Sequence, residues 1–318
     1  MTQYKFKVER ELEHYGICDA SAAIPLAQDH FLVADDEDNI LRIYRSDTSG
    51  YPVCEIDVSN YFVNNPKQKE VDIEAATQIG EIIYWITSHG TNKQGKSRPE
   101  RRQFFANKIS INNNCWSLEQ VGSSYTQLLE DILLDSRLDI YQFATAATIP
   151  PKEKGGLNIE GLTITPEQEL LIGFRNPLPQ DKAILLPLKN PQDLLKKDTK
   201  AIFGDVIELD LNGLGIRSIE YWSSESCYLI AAGSYDSSHK FALYQWSGIT
   251  TEDPQLIEVT GLASNFIPES VISYPNRDGQ LHLLSDDGST ERILGTPCKN
   301  LAHDHPSKYF RSVWISKE

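Results

Sequence analysis

A carboxylate returns at the same point of a repeated pattern. It is Glu74 in "VDIEAATQIGEIIYWITSHG", Glu160 in "LNIEGLTITPEQELLIGFRN", Glu220 in "IRSIEYWSSESCYLIAAGSYD" and Glu269 in "FIPESVISYPNRDGQLHLLSDD". Ser21 holds that place in "CDASAAIPLAQDHFLVADD". Oxygen donors converging from separate chain segments suit a hard cation, and calcium accepts six to eight oxygens in loose geometry. Carboxylates brought that close stay ionised only with a cation, water or basic groups between them. The expected metal set is therefore Ser21, Glu74, Glu160, Glu220 and Glu269, with Ca2+ as the ion and Mg2+ as its substitute. The fourth position falls on Glu220 or Ser218.

Basic residues follow the second apolar run of several repeats. "SHGTNKQGKSRPERR" holds His89, Arg98, Arg101 and Arg102; "FRNPLPQDK" holds Arg175 and Asn176; "SYDSSHK" holds His239 and Lys240. Arg175 and His89 are the candidate catalytic residues, Arg175 stabilising negative charge and His89 serving as general base. Arg98, Arg101, Arg102, Asn176 and Arg217 are the candidate substrate-binding residues, since guanidinium groups grip phosphate or carboxylate in two-pronged fashion. The tripeptide His303-Asp304-His305 offers two imidazoles at a spacing poorly suited to a metal. "ADDEDN" and "SDDGS" read as hairpin turns, since they lack the spaced ligands of an EF-hand. The chain has no G-x-S-x-G, P-loop or G-x-G-x-x-G.

These residues need a scaffold that brings repeats around an axis. Each repeat continues from the acid into a strand of β-branched and aromatic residues ("HFLVAD", "IIYWITS", "ELLIGF", "CYLIAAG", "LHLLSD"), then a third and a weaker fourth strand. Four strands at a period of roughly 50 residues make a propeller blade. The expected fold is all-β: one five-bladed β-propeller over 1–318, with six blades as the alternative. The last repeat is short of its outer strand. Tyr4–Leu12 is expected to supply it beside Tyr309–Ser316, which would hide two sheet edges. Residues 123–153 form an insertion between blades two and three. The spacing of Leu128, Leu129, Ile132 and Leu133 predicts a helix over Tyr125–Arg137, packed on the outside. "NPQDLLKKD" is a second short helix.

The totals limit the function. Among 318 residues the formal charge is −15, which opposes nucleic acid and anionic membrane surfaces. No run is long and apolar enough for a membrane helix, and the charged N-terminus does not read as a secretory signal. Five scattered cysteines without CxxC read as unpaired buried thiols in a reducing cytoplasm. The expected partner is an anionic small molecule, phosphorylated ones included; oligomeric state is not legible.

"GLNIEGL" with "LIGFRNPL" and "AILLPL", "SHG" with "RPERR", and "GLGIRSIEYW" resemble the bacterial family called domain of unknown function 3616. That resemblance implies no reaction. The blade-by-blade Ser and Glu pattern is more distantly similar to calcium-dependent propellers, the apyrase-type nucleotidases and the phytase group. In the former it implies a central calcium held by Ser and Glu side chains, a role falling here on the five positions above. The function expected is metal-dependent hydrolysis of a phosphorylated small molecule at the loop face. The alternative is a non-catalytic binding propeller with a structural central cation.

Overall fold

A computed structural model describes the chain except residues 1–3, 28, 113, 114 and 239, and the side chains of Asn112 and Cys115. The long strand β1 (Lys5–Tyr15) comes first. Three four-stranded sheets follow in chain order. The first is β2 (Ala22–Leu26), β3 (His30–Ala34), β4 (Ile40–Arg45) and β5 (Cys54–Asp57). The second is β6 (Ile73–Ile79), β7 (Ile82–Thr87), β8 (Phe104–Asn112) and β9 (Cys115–Gln120). The third is β10 (Asn158–Ile164), β11 (Leu170–Asn176), β12 (Ala183–Leu188) and β13 (Ile207–Leu209). Next come β14 (Gly215–Trp222), β15 (Cys227–Gly233), β16 (Phe241–Trp246), β17 (Gln255–Thr260), β18 (Pro268–Ser273) and β19 (Gln280–Ser285). The small ribbon β20 (Glu291–Ile293) and β21 (Thr296–Pro297) precedes the last strand, β22 (Tyr309–Lys317). These later strands, the ribbon aside, join β1 in an eight-stranded sheet of order β14-β15-β16-β17-β1-β22-β19-β18.

Within the sheets, strands adjacent in sequence pair antiparallel, as short hairpin connections require. The first strands β2, β6, β10, β14 and β18 contact one another in cyclic order, with β18 returning to β2. Sheets radiating from a closed ring of inner strands are the architecture of a β-propeller. β1 lies antiparallel to β22, from Phe6 opposite Lys317 to Tyr15 opposite Tyr309. Its start also runs parallel to β17, with Lys5 opposite Glu258. The expected N-terminal closure is thus present, and it covers two sheet edges at once.

The apolar core lies between sheets. Ile24, Leu32, Ile43, Ile83, Trp85 and Phe105 join the first and second. Leu171, Leu185, Ile216, Ile230 and Trp246 join the third to β14–β16. The insertion is helical, but shorter and deeper than its apolar spacing predicts. It comprises α1 (Leu128–Leu134), a 3-10 turn at Ser136–Tyr141 and α2 (Phe143–Ala146). Asp135 ends the first helix because its carboxylate accepts from Arg137 N and caps the next turn. Leu128, Ile132, Leu138 and Phe143 pack with Tyr84, Phe104, Phe174 and Ile184, so the insertion wedges between two sheets rather than lying outside them. The second predicted helix is the single turn α3 (Pro191–Leu194).

The cysteines depart from expectation. Cys18 and Cys298 form a disulfide with Cα atoms 5.9 Å apart, across 280 residues of sequence. No local spacing could announce a bond made by ring closure. A disulfide persists in oxidising surroundings, so the argument for a reducing cytoplasm from unpaired thiols no longer holds. No helix among the described residues is long and apolar enough to cross a membrane.

Candidate functional site

The ring around the channel is built by β-bulges. Pairing of β6 with β7 shifts between Ile73 and Ala75, leaving Glu74 as the extra residue. The same shift leaves out Glu160 in β10, Arg217 in β14 and Glu269 in β18. Ser21 directly precedes β2, whose first residue Ala22 stands opposite Ala34. A bulge bends its strand and re-aims one side chain. Here it turns Glu74, Glu160, Arg217 and Glu269 toward the axis, while Ser21 takes the corresponding place without a bulge. A small residue follows each time: Ala22, Ala75, Gly161, Ser218 and Ser270. Space is short there, since a Cβ on Gly161 would lie 2.8 Å from Ile216 Cγ2 and 2.9 Å from Gly173 Cα.

The fourth ring position therefore belongs to Arg217, and the expected assignment of Glu220 or Ser218 is three or one residues out of register. Glu220 sits further along β14 and lines the channel below the ring, where its Oε1 accepts from Ser273 N at 3.2 Å and Ser273 Oγ at 2.7 Å. Burial raises its pKa to about 7, and the Ser273 hydrogen bonds only partly offset this. Ser21 donates to Ile73 O at 2.6 Å and contacts Ala34 O at 3.1 Å, so its proton stitches neighbouring inner strands.

Glu74, Glu160 and Glu269 converge, each offering an oxygen within 4.8 Å of the others. Their environments differ. Glu160 accepts from Asn158 Nδ2 at 2.5 Å and pairs with Arg175 Nη1 at 2.7 Å. Arg217 stands 3.6 Å from Glu160 Oε2 and 3.2 Å from Asp286 Oδ2, and it also contacts Glu269. Glu74 is 8% exposed, lines the channel, and has neither hydrogen bond nor ion pair among the described residues. Burial raises its pKa well above the carboxylate range, and Glu160, Asp72, Asp36 and Glu269 push it further. Burial likewise lifts Glu269 to about 8, with Arg217 opposing and Glu160 and Asp286 adding. Burial works against the charge of Arg217, but Glu269, Glu160 and Asp286 hold its pKa far above normal.

Further carboxylates crowd the mouth. Burial and the nearby Asp286 and Glu269 raise the pKa of Asp19; burial, Asp35 and Asp72 raise that of Asp36. Asp72 is lifted by burial to about 6 despite Arg101. Asp36 and Asp286 were missed as site residues by reading "ADDEDN" and "SDDGS" as turns. The available signal was position: both doublets end the second strand of their repeat, where "SHG" and "FRN" also stand. Their neighbour Asp287 is structural, fully buried between Arg311 and Arg292.

The basic rim is committed elsewhere. Arg98 pairs with Glu70 and Glu100, Arg101 with Glu70 and Asp72, and Arg102 with Glu130, each at 2.8–2.9 Å. Asn176 donates to Pro151 O and Glu153 O, holding the insertion loop. His89 is 1% exposed, with Nδ1 2.8 Å from Thr87 O, and burial lowers its pKa to about 4. Arg175 and Arg217 contact the ring acids directly, while Arg101, paired with Asp72 at the mouth, acts on Glu74 only at longer range. His303 pairs with Glu55 at 3.3 Å, while His305 Nδ1 accepts from Ser307 N, so the two do not act together. His239 lies outside the described residues.

The chain is similar to several solved structures. The chain aligns over its whole length with the whole of a glutaminyl cyclase from Myxococcus xanthus, at TM-score 0.51 and 11% identity. An aldose sugar dehydrogenase from Streptomyces coelicolor, solved with PQQ bound, matches at TM-score 0.48 and 10% identity over 98% of each chain. The β-propeller domain of Cps50 (Swd1) from Myceliophteria thermophila matches at TM-score 0.41 and 9% identity, over 97% of this chain and 98% of that one. None of the curated proteins matches. A family model covers residues 106–292, from β8 into the ribbon after Asp286 and so across three ring positions: the chain belongs to the family described as "Protein of unknown function (DUF3616)".

Proposed function

We propose that the chain is a five-bladed, cation-binding propeller whose channel mouth takes one hard divalent cation, calcium first. The eight-stranded sheet divides naturally into two four-stranded blades, β14–β17 and β18-β19-β22-β1, which with the three separate sheets make five. The observation that carries the cation is Glu74, a buried carboxylate aimed into the channel without a partner, beside Glu160 and Glu269. Ionising such a group without a counter-charge costs several kcal/mol, so without a cation it holds its proton, and a bound cation would supply the missing charge. Arg175 and Arg217 serve Glu160, Glu269 and Asp286; Glu74 makes no ion pair among the described residues and feels only Arg101, which is itself paired with Glu70 and Asp72. Glu74, Glu160 and Glu269 would hold the ion, with Asp19, Asp36 and Asp72 supplying further negative charge. A calcium ion there would tie inner strands of three blades together, a binding and structural role.

A second reading, hydrolysis of a phosphorylated small molecule, draws on one observation. Two guanidinium groups lie inside the acid ring, so an anion resting on the cation would meet Arg175 and Arg217. The ion would supply Lewis-acid polarisation of a phosphoryl oxygen. The paired state of Arg98, Arg101 and Arg102 and the burial of His89 weigh against this reading.

The test is thermal unfolding of chelator-treated protein with calcium or magnesium added, together with a panel of phosphate esters and anhydrides. A ligand bound only by the native state raises the melting temperature. A calcium-dependent rise without turnover supports the binding role; turnover lost with chelator supports the second reading. No shift with either ion removes both.

A further inference from the structure

The Cys18–Cys298 bond lies at the mouth of the channel, not at its outer rim. Cys18 precedes Asp19, which stands opposite Asp286 in an isolated antiparallel bridge. Asp287 N donates to Cys18 O at 2.8 Å, and Gly288 N donates to Asp286 Oδ1 at 3.0 Å. On the other side, Cys298 N donates to Thr290 O at 2.8 Å and Lys299 N to Gly288 O at 3.1 Å. The disulfide thus ties the segment carrying Asp19 to the loop that follows Asp286. Two carboxylates that repel are held side by side, next to Glu269.

The outer closure meets the disulfide only at one end, where Cys298 Sγ lies 3.5 Å from Tyr309 O; from there β1 pairs with β22 down to Phe6–Lys317, and its start pairs with β17. Loss of the disulfide would leave that zipper intact while the mouth relaxed.

We propose that the Cys18–Cys298 disulfide is a redox latch on the cation site, keeping Asp19 and Asp286 at the mouth beside the acid ring when oxidised and releasing them when reduced. The inference rests on the cation reading above. The reductant is a small dithiol. One of its thiolates attacks a cysteine sulfur and breaks the S–S bond, giving a mixed disulfide. Its second thiol then displaces the bound sulfur. Cys18 and Cys298 gain two electrons and two protons, and the dithiol leaves as its own disulfide. Both cysteines are buried, at 2% and 0% exposure, so attack requires the 288–308 loop to open. A cation on the ring would attract the carboxylates of Asp19 and Asp286 beside it and so oppose that opening, and coupling between bound ion and disulfide must run both ways.

The experiment is calcium titration calorimetry on the oxidised protein, the dithiothreitol-reduced protein and the Cys18→Ser/Cys298→Ser double variant, with circular dichroism verifying the β signal. The expected result is calcium binding by the oxidised form and roughly tenfold weaker binding by the other two. The companion measurement, usable if the double variant does not fold, is the rate at which dithiothreitol reduces the native disulfide. Calcium should slow it severalfold, and added sodium should not. Equal affinities for oxidised and reduced protein, or a reduction rate indifferent to calcium, overturn the latch while leaving the cation site standing. Failure of the oxidised protein to bind calcium overturns the cation site and the latch with it.

Discussion

Arg217 occupies in β14 the bulge that Glu160 occupies in the adjacent inner strand β10, and the two meet with Nε 3.6 Å from Oε2. One arginine thus takes the place of an acid in the repeat and becomes the counter-charge for its neighbours. Arg217 also contacts Glu269 and Asp286, so three carboxylates depend on it.

Replacing Arg217 by methionine should therefore be costly. It strands buried charge, a loss of about 3–5 kcal/mol for a broken buried pair. Urea unfolding at neutral pH should record it, and added calcium should restore part of the loss. A variant as stable as the parent without calcium would show that the ring acids are not charged.

Glu220→Gln should raise stability at high pH. In the folded chain its pKa is raised to about 7, against an ordinary value near 4.5. The folded state therefore holds the proton more tightly than the unfolded chain. Stability from this group is full below about pH 4.5, falls between there and about 7, and stays low above. Glutamine keeps an acceptor for Ser273 and removes the penalty. Unfolding at pH 8 should show a gain on the order of 1–3 kcal/mol, shrinking towards none near pH 4.5.

The sequence carried the architecture further than the site. Strand chemistry and a recurrent acid were enough for the repeated sheets, and the truncated last repeat located the closing strand. The fourth ring position was misplaced because Asn158-Ile159-Glu160 and Ser218-Ile219-Glu220 look alike. Pairing register distinguishes them: the bulge falls on Arg217, in an apolar-charged-small triplet that also fits Ile73-Glu74-Ala75, Ile159-Glu160-Gly161 and Pro268-Glu269-Ser270. Charge type was the misleading feature and local packing the reliable one. The disulfide and the pairing of Arg98 and Arg101 with Glu70 and Asp72 arise from long-range contacts that no local pattern encodes.

Gly161→Val should destabilise the ring without touching a charge. The added atoms meet Ile216 and the backbone of Gly173 at under 3 Å. Overpacking of this kind costs about 1–3 kcal/mol. Thermal melting should fall, whereas the same change at Gly80, where nothing lies within 4 Å, meets no such crowding and is strained only by its positive φ.

Removing residues 1–12 should strip most of β1 from between β22 and β17. Two open edges then face solvent, and aggregation on warming is expected. Light scattering during a melt reads this directly; a truncated chain that scatters no more than the parent and melts like it would contradict the closure.

The central claim is a cation held by the unpartnered Glu74 and its two neighbours. Calcium titration calorimetry on chelator-treated protein, comparing the parent with Glu74→Gln, tests it most directly. The account predicts one calcium per chain in the parent and at least tenfold weaker binding in the variant, with the β signal unchanged. Undetectable binding in the parent, or equal affinity in the two, would contradict it.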